Sequence, residues 1–155
     1  MQLYAWPQPG LIRELGRGPI GLAPEIFVYF VEQHSRFLPL VRPIFDGARR
    51  GRWQAVTSTL TLIETQMAPC RAGDVALADR YETVLHGRGV KLVALEPPVL
   101  QSAAELCRKF DIAPPVAIHL AAALSAGCTT FVTNQTSFAA FPDLPVIILD
   151  RYRTH

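Results

Sequence analysis

The sequence has few cysteines, little net charge and no long uninterrupted apolar run. The cysteines are Cys70, Cys107 and Cys128. An odd number at such wide spacing predicts neither a disulfide framework nor a zinc site, and favours a reducing cytoplasm. The formal net charge of +2 is compatible with nucleic acid but does not by itself indicate a nucleic-acid-binding protein. The amino-terminal residues lack a basic region followed by an apolar run, so no secretory signal is predicted.

One segment is long and uncharged, as a membrane span would be. Residues 112–142 contain no Asp, Glu, Lys or Arg. Prolines, a histidine, a glycine and the polar stretch TNQTS interrupt it, so no run of about 20 apolar residues remains. We therefore expect a buried helix followed by a buried strand and no membrane association. Half of the residues are hydrophobic, which suits one globular domain with a sizeable core.

Short β-rich stretches alternate with helical ones along most of the chain. The predicted strands are PIGL, WQAVTS, VKLVAL, TTFVT and PVIIL. Pro24, Pro97 and Pro114 are each expected to open a helix. The helix that starts in TLIETQMA is expected to stop at Pro69, and Asp74 is the expected N-terminal cap of the next one. Strands that alternate with helices predict an α/β fold, here a three-layer α/β/α sandwich around a parallel sheet of about five strands. Residues 1–18 are expected to form an irregular extension and residues 19–155 the domain. In such sheets ligands bind at the carboxyl ends of the strands, near the point where strand order reverses.

Four stretches, AVTSTLTLIET, APPVAIHLAAAL, FVTN and LPVIILD, follow one another in this order. Their order and spacing resemble the PIN domain family, in particular the bacterial VapC-type toxin ribonucleases, over about residues 19–150. The resemblance implies a PIN-like sandwich with three or four carboxylates at the carboxyl edge of the sheet, which hold Mg²⁺ or Mn²⁺. Such cations take oxygen ligands, and they generate hydroxide and offset charge on the scissile phosphate.

Most of the carboxylates that the resemblance implies are absent. The four family acid positions fall on Ala23, Glu64, Val116 and Gln135. Only Glu64 is an acid, and it would bind a metal weakly without further carboxylates. The resemblance therefore predicts a degenerate PIN-domain protein with little or no nuclease activity and no expected cofactor, which acts by binding RNA or protein. The expected protein partners are an antitoxin-like chain or a second copy of this chain, in a prokaryotic cytoplasm.

The two acids near these positions, Glu64 and Glu25, each have two interpretations. Glu64 is either a remaining family acid or the last residue of a capping box that begins at Thr61. Glu25 lies in the first turn of a predicted helix, where a negative charge is favourable. Its spacing from Ala23 predicts that it points to a different face. In the alternative, Glu25 and Glu64 form a relocated site of an active Mg²⁺- or Mn²⁺-dependent ribonuclease, the toxin of a toxin–antitoxin pair.

Other polar residues also have a functional and a structural interpretation. His119 lies in a largely apolar helix, which favours a hydrogen-bonded structural histidine. Thr133 and Asn134, a pair that the family retains, would either orient a water or phosphate or simply form a turn.

A basic cluster lies beside an aromatic residue. Arg49, Arg50 and Arg52 next to Trp53 suit an RNA backbone and a stacked base. They also suit the negative end of a helix, which is the structural alternative.

Overall fold

The structure is a computed structural model and describes residues 9–152. Five parallel strands form the centre of this part of the chain. The strands are β1 (Ile20–Leu22), β2 (Ala55–Ser58), β3 (Val90–Val93), β4 (Thr130–Thr133) and β5 (Val146–Ile148). Their order in the sheet is β3-β2-β1-β4-β5, and every neighbouring pair is parallel. This architecture confirms the predicted α/β/α sandwich. Strand order reverses between β1 and β4, so the carboxyl ends of these two strands meet at the switch point.

Seven α-helices cover the sheet within residues 9–152. They are α1 (Pro9–Leu15), α2 (Pro24–Val31), α3 (Leu38–Arg49), α4 (Leu60–Ala72), α5 (Val75–Leu85), α6 (Pro97–Phe110) and α7 (Pro114–Ser125). Short 3₁₀ helices span Thr136–Ala140 and Leu149–Tyr152. Proline opens α2, α6 and α7, because the first helical position needs no amide donor. None of these helices combines the length and apolar character that a membrane crossing requires.

The local signals at the start of α5 are confirmed. Asp74 is its N-cap, and the carboxylate accepts a hydrogen bond from the backbone N–H of Leu77 at 3.0 Å. This is the role that short acids commonly fill at helix starts.

Two expectations about helix extent are wrong. The segment of residues 1–18 was expected to be irregular, but its residues 9–15 form α1, whose Leu11 and Leu15 are fully buried in the core. Residues 1–8 lie outside the described residues, and the division at residue 18 stays a prediction.

Helix α4 was expected to stop at Pro69 but continues to Ala72, where Gly73 ends it in a left-handed conformation. Pro69 is buried, so packing offsets the hydrogen bond that proline cannot donate.

All three cysteines are free. Cys128 is buried, and burial raises the pKa of its thiol to about 12. A thiol with so high a pKa stays protonated at neutral pH and is a poor nucleophile or metal ligand.

Two glycines next to the amino ends of the strands provide a test of the fold. Gly51 and Gly89 both have positive φ, +77° and +86°. A Cβ on Gly51 would meet nothing within 4 Å, whereas one on Gly89 would lie 2.2 Å from the carbonyl oxygen of Ala48. We expect Gly51→Ala to cost about 1–2 kcal/mol of left-handed strain. Gly89→Ala should cost about 1–3 kcal/mol more, because the Ala48 backbone must move.

Urea unfolding of the two variants measures this difference. Equal losses of unfolding free energy would show that the contact between Gly89 and Ala48 is not a tight one.

Candidate functional site

The switch point between β1 and β4 brings together the positions at which the sequence predicted a site. Ala23 follows β1, and its N–H donates to the carbonyl oxygen of Val132 in β4 at 3.0 Å. The Ala23 side chain is fully buried, and Val116 in the first turn of α7 is 8% exposed. Gln135 follows β4 and is exposed. Two of the three non-acidic positions are thus buried hydrocarbon side chains, which have no atom that can bind a cation.

Glu25 occupies this edge instead. One carboxylate oxygen accepts hydrogen bonds from Thr133 Oγ1 at 2.6 Å and from the backbone N–H of Asn134 at 2.9 Å. The other oxygen accepts from Gln135 Nε2 at 2.9 Å. Glu25 therefore contacts the fourth family position, Gln135, while the Ala23 side chain is buried in the core. Helix α2 begins at the switch point, so the first-turn side chain at Glu25 reaches across to the turn that follows β4.

The turn after β4 is tied to two other parts of the structure. The Asn134 side chain donates to the Tyr29 hydroxyl at 3.2 Å and accepts from the backbone N–H of Asp150 at 2.7 Å. Thr133 Oγ1, besides donating to Glu25, accepts from the N–H of Gln135 at 3.0 Å. Thr133 and Asn134 therefore make the contacts of a structural turn, and a role in orienting substrate stays a prediction.

Glu64 is bound to His119 and is not part of a capping box. Helix α4 begins at Leu60 without a side-chain cap, so Thr61 lies inside the helix. Thr61 Oγ1 contacts Thr57 Oγ1 at 2.7 Å, whereas Glu64 Oε1 lies 3.0 Å from His119 Nε2. The capping-box interpretation is therefore wrong. The Glu64 side chain is 34% exposed and that of His119 is 3% exposed.

His119 is hydrogen-bonded through both ring nitrogens, which confirms its interpretation as a structural histidine. Its Nδ1 lies 3.2 Å from Ser58 Oγ. Serine, histidine and glutamate in a row resemble a nucleophile with its base and acid. However, Ser58 is fully buried and its oxygen also accepts the backbone N–H of Leu60 at 3.2 Å. No substrate reaches that oxygen, so the contacts serve to tie β2 and α4 to α7.

Glu25 and Glu64 thus each have hydrogen-bond partners from the protein itself. Within residues 9–152, no three His, Cys, Asp or Glu side chains converge in a way that would hold a metal ion. The positions that the resemblance implied for Mg²⁺ or Mn²⁺ do not fit such an ion, since Ala23 and Val116 offer no oxygen and Gln135 only a neutral one.

The three predicted RNA-binding arginines face different surroundings. Arg49 pairs with Asp46 at 3.0 Å and its guanidinium lies over the Phe30 ring at 5.5 Å from the centroid. Arg50 is exposed at the C-cap of α3. Arg52 lines a separate groove at the amino edge of the sheet, together with Arg17 and Arg88. Sequence reasoning missed the last two arginines because each is more than 30 positions from Arg52. Whether the original trio binds nucleic acid stays a prediction.

The hydrogen bonds of Glu25 predict a measurable contribution to stability. Glu25→Ala should lower the free energy of unfolding by about 1–3 kcal/mol, because it leaves three donors without their charged acceptor. The matched control is Glu105→Ala, since Glu105 is 70% exposed and pairs only with Arg108. That control should change stability by less than about 0.5 kcal/mol. Urea unfolding of both variants gives the comparison. If Glu25→Ala stabilises the protein, Glu25 is a strained acid held for a cation and not a structural acceptor.

Comparisons with known proteins agree with this geometry. A family model described as "PIN domain" matches residues 25–144. The solved structure of VapBC2 from Rickettsia felis bound to a DNA fragment from its promoter is similar, with a TM-score of 0.64 and 15% identity over 84% of this chain and 97% of that one. A toxin–antitoxin complex from Klebsiella pneumoniae has a TM-score of 0.64 and 16% identity, with the same coverage. Among curated proteins, no relative matches. Since the family model spans most of the sequence, this chain belongs to the PIN domain family.

Proposed function

We propose that this protein is a degenerate PIN-domain protein with little or no metal-dependent nuclease activity, and that it acts by binding a partner. The observation that carries this proposal is the state of the four family acid positions. Ala23 and Val116 are buried hydrocarbon, Gln135 is neutral and donates to Glu25, and Glu64 contacts His119.

The energetics of metal binding support the same conclusion. A divalent cation at this edge would have to compete with three donors for Glu25 and with His119 for Glu64. Mg²⁺ tolerates one or two carboxylates only when substrate phosphates supply further oxygens. A metal that generates hydroxide in the manner of a phosphodiesterase also needs fixed geometry. Glu25 and Glu64, each already hydrogen-bonded within the protein, supply two charged ligands where the family supplies three or four.

A protein partner is supported by the surface between α2, α3 and α5. A groove of about 420 Å³ has apolar walls from Phe30, Val31, Leu38 and Val84, and includes Arg42 and Arg80. These two arginines make no hydrogen bond or ion pair with any part of the chain that the structure describes. An amphipathic segment with acidic residues, such as an antitoxin-like chain provides, fits this chemistry. The similar solved structures are themselves toxin–antitoxin complexes. We propose that the protein works in a prokaryotic cytoplasm, as a homo-oligomer or in a complex with this partner.

One observation favours the alternative of an active ribonuclease. Glu25 contacts the fourth acid position, Gln135, so it lies at the edge where the family binds metal. In that alternative Glu25 and Glu64 bind Mg²⁺ or Mn²⁺ together, and the metal displaces the hydrogen bonds of Glu25.

Cleavage of single-stranded RNA with Mn²⁺ separates the two functions. The proteins are wild type, Glu64→Gln, and a restored variant in which Ala23, Val116 and Gln135 are all changed to Asp. We expect wild type and Glu64→Gln to match a chelator blank, because neither assembles enough carboxylates. Cleavage by wild type that Glu64→Gln abolishes would overturn the proposal and establish Glu64 as a metal ligand.

Thermal unfolding with and without Mn²⁺ tests the same point without relying on turnover. A ligand that binds only the folded state stabilises it, by about 2.7 kcal/mol at a hundred times Kd. Wild type should show no such gain. The restored variant should gain stability from Mn²⁺ if the scaffold still supports the family site, which makes it a positive control for the fold.

A further inference from the structure

A second groove lies at the amino edge of the sheet, away from the switch-point site. Its volume is about 400 Å³, and its lining includes Arg17, Arg52 and Arg88. Each arginine comes just before a different strand, respectively β1, β2 and β3. The register pairs Ile20 with Ala55 and Ala55 with Val90, so these three strands begin side by side. Neighbouring strands lie about 4.8 Å apart, so the three arginines arise from a span of about 10 Å.

These three arginines are not neutralised by any residue in the range 9–152. No acidic residue lines the groove. All three side chains are exposed, and none makes a hydrogen bond or ion pair with another residue of the described range 9–152. Arg49 and Arg108, by contrast, pair with carboxylates at 3.0 and 3.2 Å. Three uncompensated guanidiniums around one concave surface concentrate positive potential there.

The end of helix α3 does not account for these charges. Its carbonyl groups already have backbone partners, since the N–H of Gly51 donates to Ala48 at 3.1 Å and that of Arg52 to Gly47 at 2.9 Å. The favourable effect of a helix C-terminus on a cation would also concern only Arg52, because Arg17 and Arg88 belong to other segments. The helix end therefore gives no reason for the three arginines to lie together, and their side chains are free to contact an anionic ligand.

The floor of the groove is rigid and does not offer a stacking surface. Trp53 is 7% exposed, and its indole N–H donates to the carbonyl oxygen of Ile44 at 2.9 Å. Gly89 packs against the Ala48 carbonyl too closely for any side chain. A buried indole cannot stack on a base, so the groove lacks the aromatic platform with which proteins hold single-stranded bases. The groove instead presents planar guanidinium groups, whose N–H donors match the geometry of phosphate oxygens.

We propose that the groove of Arg17, Arg52 and Arg88 binds the phosphodiester backbone of RNA, independently of any metal and without reading bases. The strands are three or four residues long at about 3.3 Å per residue, so this groove lies about 10 Å or more from the switch-point carboxylates. The phosphate held here is therefore not the one that Glu25 or Glu64 could contact, although the same RNA strand could extend to that edge. The proposal stands whether or not the protein has nuclease activity.

Fluorescence anisotropy with a labelled single-stranded RNA of mixed sequence tests this site, with EDTA present so that metal-dependent cleavage plays no part. The groove variant carries Arg17→Gln, Arg52→Gln and Arg88→Gln. The control variant carries Arg36→Gln, Arg71→Gln and Arg108→Gln, which removes the same number of charges from residues that do not line the groove. We expect the groove variant to bind at least tenfold more weakly than wild type and the control to stay within about twofold.

The salt dependence provides a second readout. Loss of three phosphate contacts should reduce the slope of log K against log salt concentration by about 2, since each contact to a single strand contributes about 0.7. Because all three side chains are exposed and unpaired, the groove variant should keep the melting temperature of wild type. The three single variants repeat the test in case the triple variant unfolds.

Three results would overturn the proposal. The first is no RNA binding by wild type. The second is an equal loss in the groove and control variants, which would indicate only a general effect of net charge. The third is efficient competition by inorganic tripolyphosphate. If it displaces the labelled RNA at a phosphate concentration no higher than unlabelled RNA requires, the groove binds a small polyanion instead.

Discussion

The pairing of β1 with β4 is the constraint on which the candidate site depends. It sets the carboxyl end of the first strand beside that of the fourth, with the N–H of Ala23 bonded to the Val132 carbonyl. Helix α2 must then start against the turn that follows β4. A glutamate in the first turn of that helix meets the donors of Thr133, Asn134 and Gln135 as a direct consequence. The same reversal of strand order creates the crevice in which doubly wound folds bind ligands.

What distinguishes this edge is how its negative charge is compensated. Clustered carboxylates repel one another by up to about 3 kcal/mol per pair at 5 Å and an effective dielectric of about 20, and a bound cation offsets that repulsion. Here the chain has fewer carboxylates, and each has a partner of its own. Neutral donors surround Glu25, and His119 contacts Glu64. We therefore expect this edge to gain little stability from a metal, in line with the low nuclease activity that we propose.

The sequence predicted the features that depend on local or periodic signals. The five strands, the proline-led starts of α2, α6 and α7 and the Asp74 cap follow from short patterns, and the parallel sheet follows from the alternation of strands and helices. Features that depend on distant contacts were not predictable in this way. The contact of Glu25 with Gln135 joins residues 110 positions apart, and that of Glu64 with His119 joins residues 55 apart. A local capping pattern predicted the wrong partner for Glu64 because such patterns occur often by chance.

The helix at residues 9–15 was also not predictable from local patterns. Glycine and proline near it indicate irregular structure, but burial of Leu11 and Leu15 in the core stabilises the helix. The grouping of Arg17, Arg52 and Arg88 is also a property of the sheet, since only strand register aligns the residues before β1, β2 and β3.

The two edges of the sheet thus differ in the state of their charged side chains. At the carboxyl edge Glu25 and Glu64 are hydrogen-bonded within the chain, and their negative charge disfavours an approaching phosphate. At the amino edge three exposed guanidiniums make no ion pair within residues 9–152, so a phosphate that binds there displaces no such contact. The RNA-binding groove that we propose therefore lies at the edge where the protein's own charges favour phosphate. Affinity at that edge would not by itself accelerate cleavage, because only interactions that strengthen in the transition state do so.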